Sequence, residues 1–116
     1  MYKYKAKIDR VVDGDTFDIV VDLGFKISTH QRIRLQGINT PETYNVKKES
    51  EEYKKGLAAK NFAIQRLESN NYDALIQTEK ATGKYGRYIA TVWLADNETS
   101  LNDELVEKGF AEVAIY

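Results

Sequence analysis

The apolar residues of this chain change their spacing along its length, and that change limits the folds open to it. In Tyr4-Lys5-Ala6-Lys7-Ile8-Asp9-Arg10-Val11-Val12, apolar and charged side chains alternate, the period of a half-buried strand. Asp13-Gly14 is a hairpin turn signal. Beyond it, Phe17, Ile19, Val21 and Leu23 fall on one face of a second strand, with Thr16, Asp18, Val20 and Asp22 on the other. A turn near Leu23-Gly24-Phe25 leads into a third strand, where Gln31, Ile33 and Leu35 alternate with His30, Arg32 and Arg34. The spacing then becomes helical. From about Val46 to Leu67, the residues Leu57, Ala59, Phe62, Ala63 and Leu67 form one stripe, which Asn70-Asn71 ends.

Two further strands are predicted at about Ala74–Glu79 and Arg87–Leu94. Ser100 and Asp103 then read as an N-cap and its partner three residues on. The helix they open turns Leu101, Leu105 and Val106 inward and stops at Gly109. A last apolar run spans Val113 to Tyr116. Three strands, a helix, two strands and a helix predict an α+β, mainly β fold. It is a five-stranded OB-fold barrel, with one helix between strands 3 and 4 and another after strand 5. Fold alone does not establish function.

With 116 residues, a single domain over residues 1–116 with one core is expected. The chain has no cysteine, which excludes disulfides and thiolate metal sites. Its formal net charge is -1, whereas nucleic-acid binders are commonly basic; positive charge for a polyanion must therefore be local or come from a bound cation. The N-terminus has no apolar run of the signal-peptide kind, and no stretch is long enough to span a bilayer.

Three clusters carry possible chemistry. Asp13-Gly14-Asp15-Thr16 reads either as a plain turn or as a mount from which Asp15 offers a carboxylate to a hard cation. Arg32 and Arg34 share a strand face just ahead of Asn39-Thr40-Pro41-Glu42-Thr43. That stretch is either a solvated basic strip beside a proline turn or a device that holds a carbonyl and the Glu42 carboxylate in set directions. Lys84-Tyr85-Gly86-Arg87 is a charged hairpin turn, or it presents Arg87 as a phosphate fork with Lys84 and Tyr85 as supports. The one histidine, His30, reads as a surface strand residue, and no glycine-rich phosphate loop is present.

In this order the clusters resemble the staphylococcal nuclease (thermonuclease) family. The Asp-Gly-Asp-Thr turn, the Thr-Pro-Glu-Thr segment and the Lys-Tyr-Gly-Arg motif all match, and Leu101 to Ala111 resembles that family's second helix and its exit. The resemblance implies a Ca²⁺-dependent nuclease. Asp15 and the Thr40 carbonyl would bind Ca²⁺, Arg34 and Arg87 would grip the scissile phosphate, Glu42 would be the general base, and Lys84 and Tyr85 would line the nucleotide site. Asn39 stands where the family has a second metal-binding aspartate. Its amide oxygen still coordinates Ca²⁺ but brings no charge, so a weaker site is expected. A tyrosine expected on the nucleotide-binding face appears as Ile115, with Tyr116 one place later, and the family's third helix is absent.

Two functions from different classes follow. The first is a nuclease acting on single-stranded or frayed DNA and RNA with little base preference, as a monomer with no membrane or obligate protein partner. The second is a weak or inactive module of the same type that binds nucleic acid or a protein. Retention of Asp15, Arg34, Glu42 and Arg87 together favours the first; Asn39 and the near-neutral charge favour the second. No segment directs export. The chain reads as cytoplasmic as it stands, or as secreted or surface-bound if it is an excised domain.

Overall fold

The computed structural model describes residues 3–43, 47, 49–82, 88–96 and 98–114. Its strands and helices are β1 (Lys3–Asp13), β2 (Thr16–Asp22), β3 (Ser28–Leu35), β4 (Ile38–Asn39), α1 (Glu51–Glu68), β5 (Asp73–Thr82), β6 (Tyr88–Trp93), α2 (Leu101–Glu107) and β7 (Glu112–Val113). Five strands close into a barrel in the order β1-β2-β3-β6-β5, while β4 and β7 form a short separate ladder. The β3–β6 pair is parallel and closes the wall; the other barrel pairs are antiparallel. This is the α+β, OB-fold barrel expected from the pattern. No helix among the described residues is long and apolar enough to cross a membrane.

The alternating residues Phe17, Ile19, Ile33, Leu35, Ile76 and Val92 fill the barrel, and Leu67, Leu101 and Leu105 cap it from the helices. Each such side chain removed from water contributes roughly 1.5–3 kcal/mol. Leu23, expected to share the inner face of β2, is exposed beyond the strand end, and Leu57 on α1 is likewise exposed. The face that α1 turns inward is Gly56, Ala59, Ala63 and Leu67. Close approach of the helix to the barrel needs small residues at its first two contacts.

Helix α1 begins at Glu51, later than the lysine- and glutamate-rich composition implies. Ser50 caps it by accepting the Tyr53 N–H at 3.1 Å, and Val46 lies outside the described residues. The expected features of α2 are present. The Ser100 hydroxyl accepts the Asp103 N–H at 3.1 Å, and Gly109 takes a left-handed φ of +81°. Phe110 N–H then returns to the Leu105 carbonyl at 2.8 Å.

Two polar links, one of them buried, hold α2 in place. Asn102, 3% exposed, accepts the Val92 N–H and donates to the carbonyls of Gln36 and Ala90. Arg66 of α1 donates to Glu104 at 3.0 Å and forms a two-pronged pair with Asp96 at 2.6 and 2.8 Å. The Arg66 guanidinium holds the Asp96 carboxyl down at about 2. In turn, chiefly through Asp96, the Arg66 pKa is raised.

Candidate active site

The site grows from the β1–β2 hairpin. Asp13 pairs with Thr16 across a two-residue loop, so Asp15 sits in the turn itself. Gly14 is needed for space and not for a left-handed backbone: a Cβ there would lie 2.9 Å from Ala59 Cβ and 3.0 Å from Thr40 Cγ2. The hairpin therefore packs directly onto α1 and onto the segment that follows β4. A bulge between Val11 and Asp13 shifts the register just before the turn, and such bulges re-aim side chains next to sites. Period-two reading of the sequence does not reveal it.

Asp15 is 7% exposed, and its burial is compensated by donors from three directions. Arg34 Nη1 donates to Oδ2 at 3.0 Å, the Thr40 N–H donates to the same oxygen at 3.2 Å, and the Thr16 hydroxyl donates to Oδ1 at 3.1 Å. Cross-strand register opposes Thr16 to Arg34, which brings the guanidinium to the hairpin. Arg34 Nη2 also donates to the Ile38 carbonyl at 3.3 Å and to Asn39 Oδ1. One arginine thus ties the turn to the segment Ile38–Thr40. Thr43 closes the other side, its hydroxyl donating to Asp13 Oδ1 at 2.6 Å.

Arg32 shares the strand face with Arg34 but does not join the cluster. It grips Asp18 on β2 at 2.7 and 3.1 Å, and that bond holds the Asp18 carboxyl below its ordinary range. His30 is exposed, as expected of a surface strand residue.

A cavity of about 400 Å³ is lined by Asp13, Asp15, Arg34, Asn39, Thr40, Glu42 and Glu52. It gathers the predicted residues Asp15, Arg34, Asn39, Thr40 and Glu42. The remaining three, Lys84, Tyr85 and Arg87, lie outside the described residues, as do Ile115 and Tyr116. Asp13, first read only as a turn residue, and Glu52 on α1 also line the cavity. The acidic first turn of α1 was the available signal for Glu52. Every uncharged or anionic donor in this lining is an oxygen, which suits a hard cation such as Ca²⁺. Asp15, Asn39 and Arg34 already share hydrogen bonds, so an ion there competes with the guanidinium for the same oxygens. Among the described residues, no three histidine, aspartate or glutamate side chains close into a metal-holding group.

A family model described as "Staphylococcal nuclease homologue" matches residues 32–116. The chain belongs to the staphylococcal nuclease family. It is 38% identical over 109 residues to the thermonuclease of Staphylococcus intermedius, covering 94% of this chain and 59% of that protein. It is 34% identical over 110 residues to the thermonuclease of Staphylococcus hyicus, covering 95% and 59%. Similarity to endonuclease YhcR of Bacillus subtilis (strain 168) is 28% over 112 residues, covering 94% of this chain and 9% of that protein. The chain thus spans about three-fifths of the length of the two thermonucleases in this family that it matches.

Proposed function

We propose that this chain is a Ca²⁺-dependent nuclease, a single-domain monomer that hydrolyses phosphodiester bonds of single-stranded or frayed DNA and RNA. The observation that carries the reading is the convergence of Asp15, Arg34, Asn39, Thr40 and Glu42 on one cavity from the β1–β2 turn, β3, β4 and the segment after β4. Membership of a family that includes thermonucleases supports it.

In this reading Asp15, Asn39 and the Thr40 carbonyl would hold Ca²⁺, which would supply positive charge beside the scissile phosphate. Arg87 binds the same phosphate as a two-pronged donor, and Arg34 joins it once its Nη2 group releases Ile38 and Asn39. They stabilise the charge that builds on its non-bridging oxygens more than they stabilise the substrate. Glu42 accepts a proton from the attacking water, which bonds to phosphorus as the P–O bond to the leaving group breaks. Lys84 and Tyr85 contact the neighbouring nucleotide. Because the charge needed is local, the overall balance of -1 is no obstacle.

Asn39 supports the second reading, a binding module that does not cut, because its amide adds no charge for an ion and is held by Arg34. Digestion of heat-denatured DNA with calcium or with a calcium chelator separates the two. The nuclease reading expects cutting in calcium, none in chelator, and a large loss in Arg87→Ala. Binding without cutting in calcium supports the module instead.

A further inference from the structure

The turn between β2 and β3 exposes more apolar surface than folding explains. Three of the six large apolar residues exposed among the described residues lie on it: Leu23, Ile27 and above all Phe25, which is 97% exposed. Apolar side chains scattered singly over a surface are ordinary, whereas a contiguous group marks a contact. The backbone gives no reason for a phenylalanine at the tip. Phe25 and Lys26 take left-handed φ values of +54° and +62°, at the two central turn positions where hairpins favour Asn-Gly.

The turn is suited to a medium of low dielectric, because three of its N–H groups are met internally. Leu23 N–H donates to the Ile27 carbonyl and Ile27 N–H to the Gly24 carbonyl, both at 2.9 Å, and Gly24 N–H donates to Asp22 Oδ1 at 2.8 Å. Paired groups lose little on leaving water. Lysines surround the apolar tip. Lys26 is on the turn itself, and the pairing of Ala6 with Val21 brings the start of β1, with Lys3 and Lys5, alongside it. All three are exposed, and Lys3 Nζ lies 4.5 Å from the centre of the Trp93 ring. The aliphatic residues Leu23 and Ile27 beside the ring suit lipid better than a nucleic-acid base, which stacks on flat partners. The turn also lies at the far end of β2 from Asp15. Seven strand residues span about 20 Å, so docking there leaves the candidate active site uncovered.

We propose that the β2–β3 turn docks the protein on an anionic lipid surface, with Leu23, Phe25 and Ile27 entering the interface and Lys3, Lys5 and Lys26 meeting the headgroups. The proposal is independent of the nuclease reading.

The test is sedimentation with vesicles of phosphatidylcholine alone, or of equal parts phosphatidylcholine and phosphatidylglycerol, at low and high salt. Asparagine suits the left-handed backbone. Phe25→Asn should therefore fold with an unfolding temperature no lower than that of the original chain and leave cleavage of heat-denatured DNA unchanged. We expect the original chain to bind the mixed vesicles, less so in high salt, and Phe25→Asn to bind them about 10-fold more weakly. No binding of mixed vesicles by the original chain, or equal binding by Phe25→Asn, overturns the proposal. Two other findings, made without vesicle binding, also overturn it. Weaker binding of a thymidine oligonucleotide by Phe25→Asn would make the ring a base-stacking platform, and a concentration-dependent dimer lost in Phe25→Asn would make the turn a contact between copies. Vesicle binding by a chain that does not cut DNA would uphold the proposal while removing the nuclease reading.

Discussion

Gly56 on α1 lies against the backbone of Pro41: a Cβ at position 56 would sit 2.5 Å from the Pro41 carbonyl oxygen and 2.9 Å from that of Glu42. Here the helix presses on the segment that carries Thr40 and Glu42, and the fit is set by one missing methyl group. Alanine at an exposed helical site gains roughly 1 kcal/mol over glycine. At position 56 the contact is with backbone, which does not swing aside, and overpacking of this kind costs about 1–3 kcal/mol. Gly56→Ala is expected to lower stability and to displace Glu42. Denaturant unfolding and the cleavage rate report the two effects; a more stable, fully active variant would refute the packing argument.

Asn102→Ala removes a buried amide that serves three backbone groups on β6 and the turn after β3. The Val92 N–H and the Gln36 carbonyl lose this partner, while the Ala90 carbonyl keeps the Gln36 N–H at 2.8 Å, and the loss is about 1–3 kcal/mol. Urea unfolding is the measurement. A loss of under about 0.5 kcal/mol, the range of an ordinary surface change, would show that the amide does not lock α2 to the barrel.

Acid sensitivity has a definite sign at Asp96. Arg66 lowers its carboxyl from 3.8 to about 2 in the folded protein. A depressed carboxyl adds stability that is fully present above the unfolded value and disappears as pH falls through the folded value. The stability difference between the original chain and Asp96→Asn should therefore be constant above about pH 4 and shrink toward zero as pH approaches 2. A difference that persists unchanged at pH 2 would exclude Arg66 as its source.

Asn39→Asp places a second carboxylate beside Asp15 and gives Arg34 a charged partner in place of an amide. Charge count is a principal control of Ca²⁺ affinity in oxygen-ligand sites. The variant should reach half-maximal cleavage at a lower calcium concentration than the original chain, by roughly 10-fold if the added attraction is near 1.4 kcal/mol. An unchanged calcium requirement would place the ion elsewhere.

The barrel was legible because strand and helix periods are local: alternation in β1, β2 and β3, the Ser100 cap and the Gly109 stop each depend on a few consecutive residues. The gathering of Asp15, Arg34, Asn39, Thr40 and Glu42 was legible through the family resemblance, whose motif order stands in for distances a single sequence does not contain. What stayed hidden depends on residues far apart in the chain. Gly56 reads as a weak point in a helix until Pro41 is seen against it. Arg66 reads as a surface cation until Asp96 and Glu104 arrive from 30 and 38 residues away. Leu57 fits the apolar stripe by spacing, yet the small residues Gly56 and Ala59 turn inward, Gly56 against the Pro41 and Glu42 carbonyls and Ala59 against the hairpin at Gly14.

The most direct test of the site is the rate at which Glu42→Gln cleaves heat-denatured DNA in calcium, with folding verified by circular dichroism. Loss of a general base costs about 10²–10⁴-fold, and the account predicts a fall in that range with the fold intact. A folded Glu42→Gln protein that cuts as fast as the original chain would contradict it.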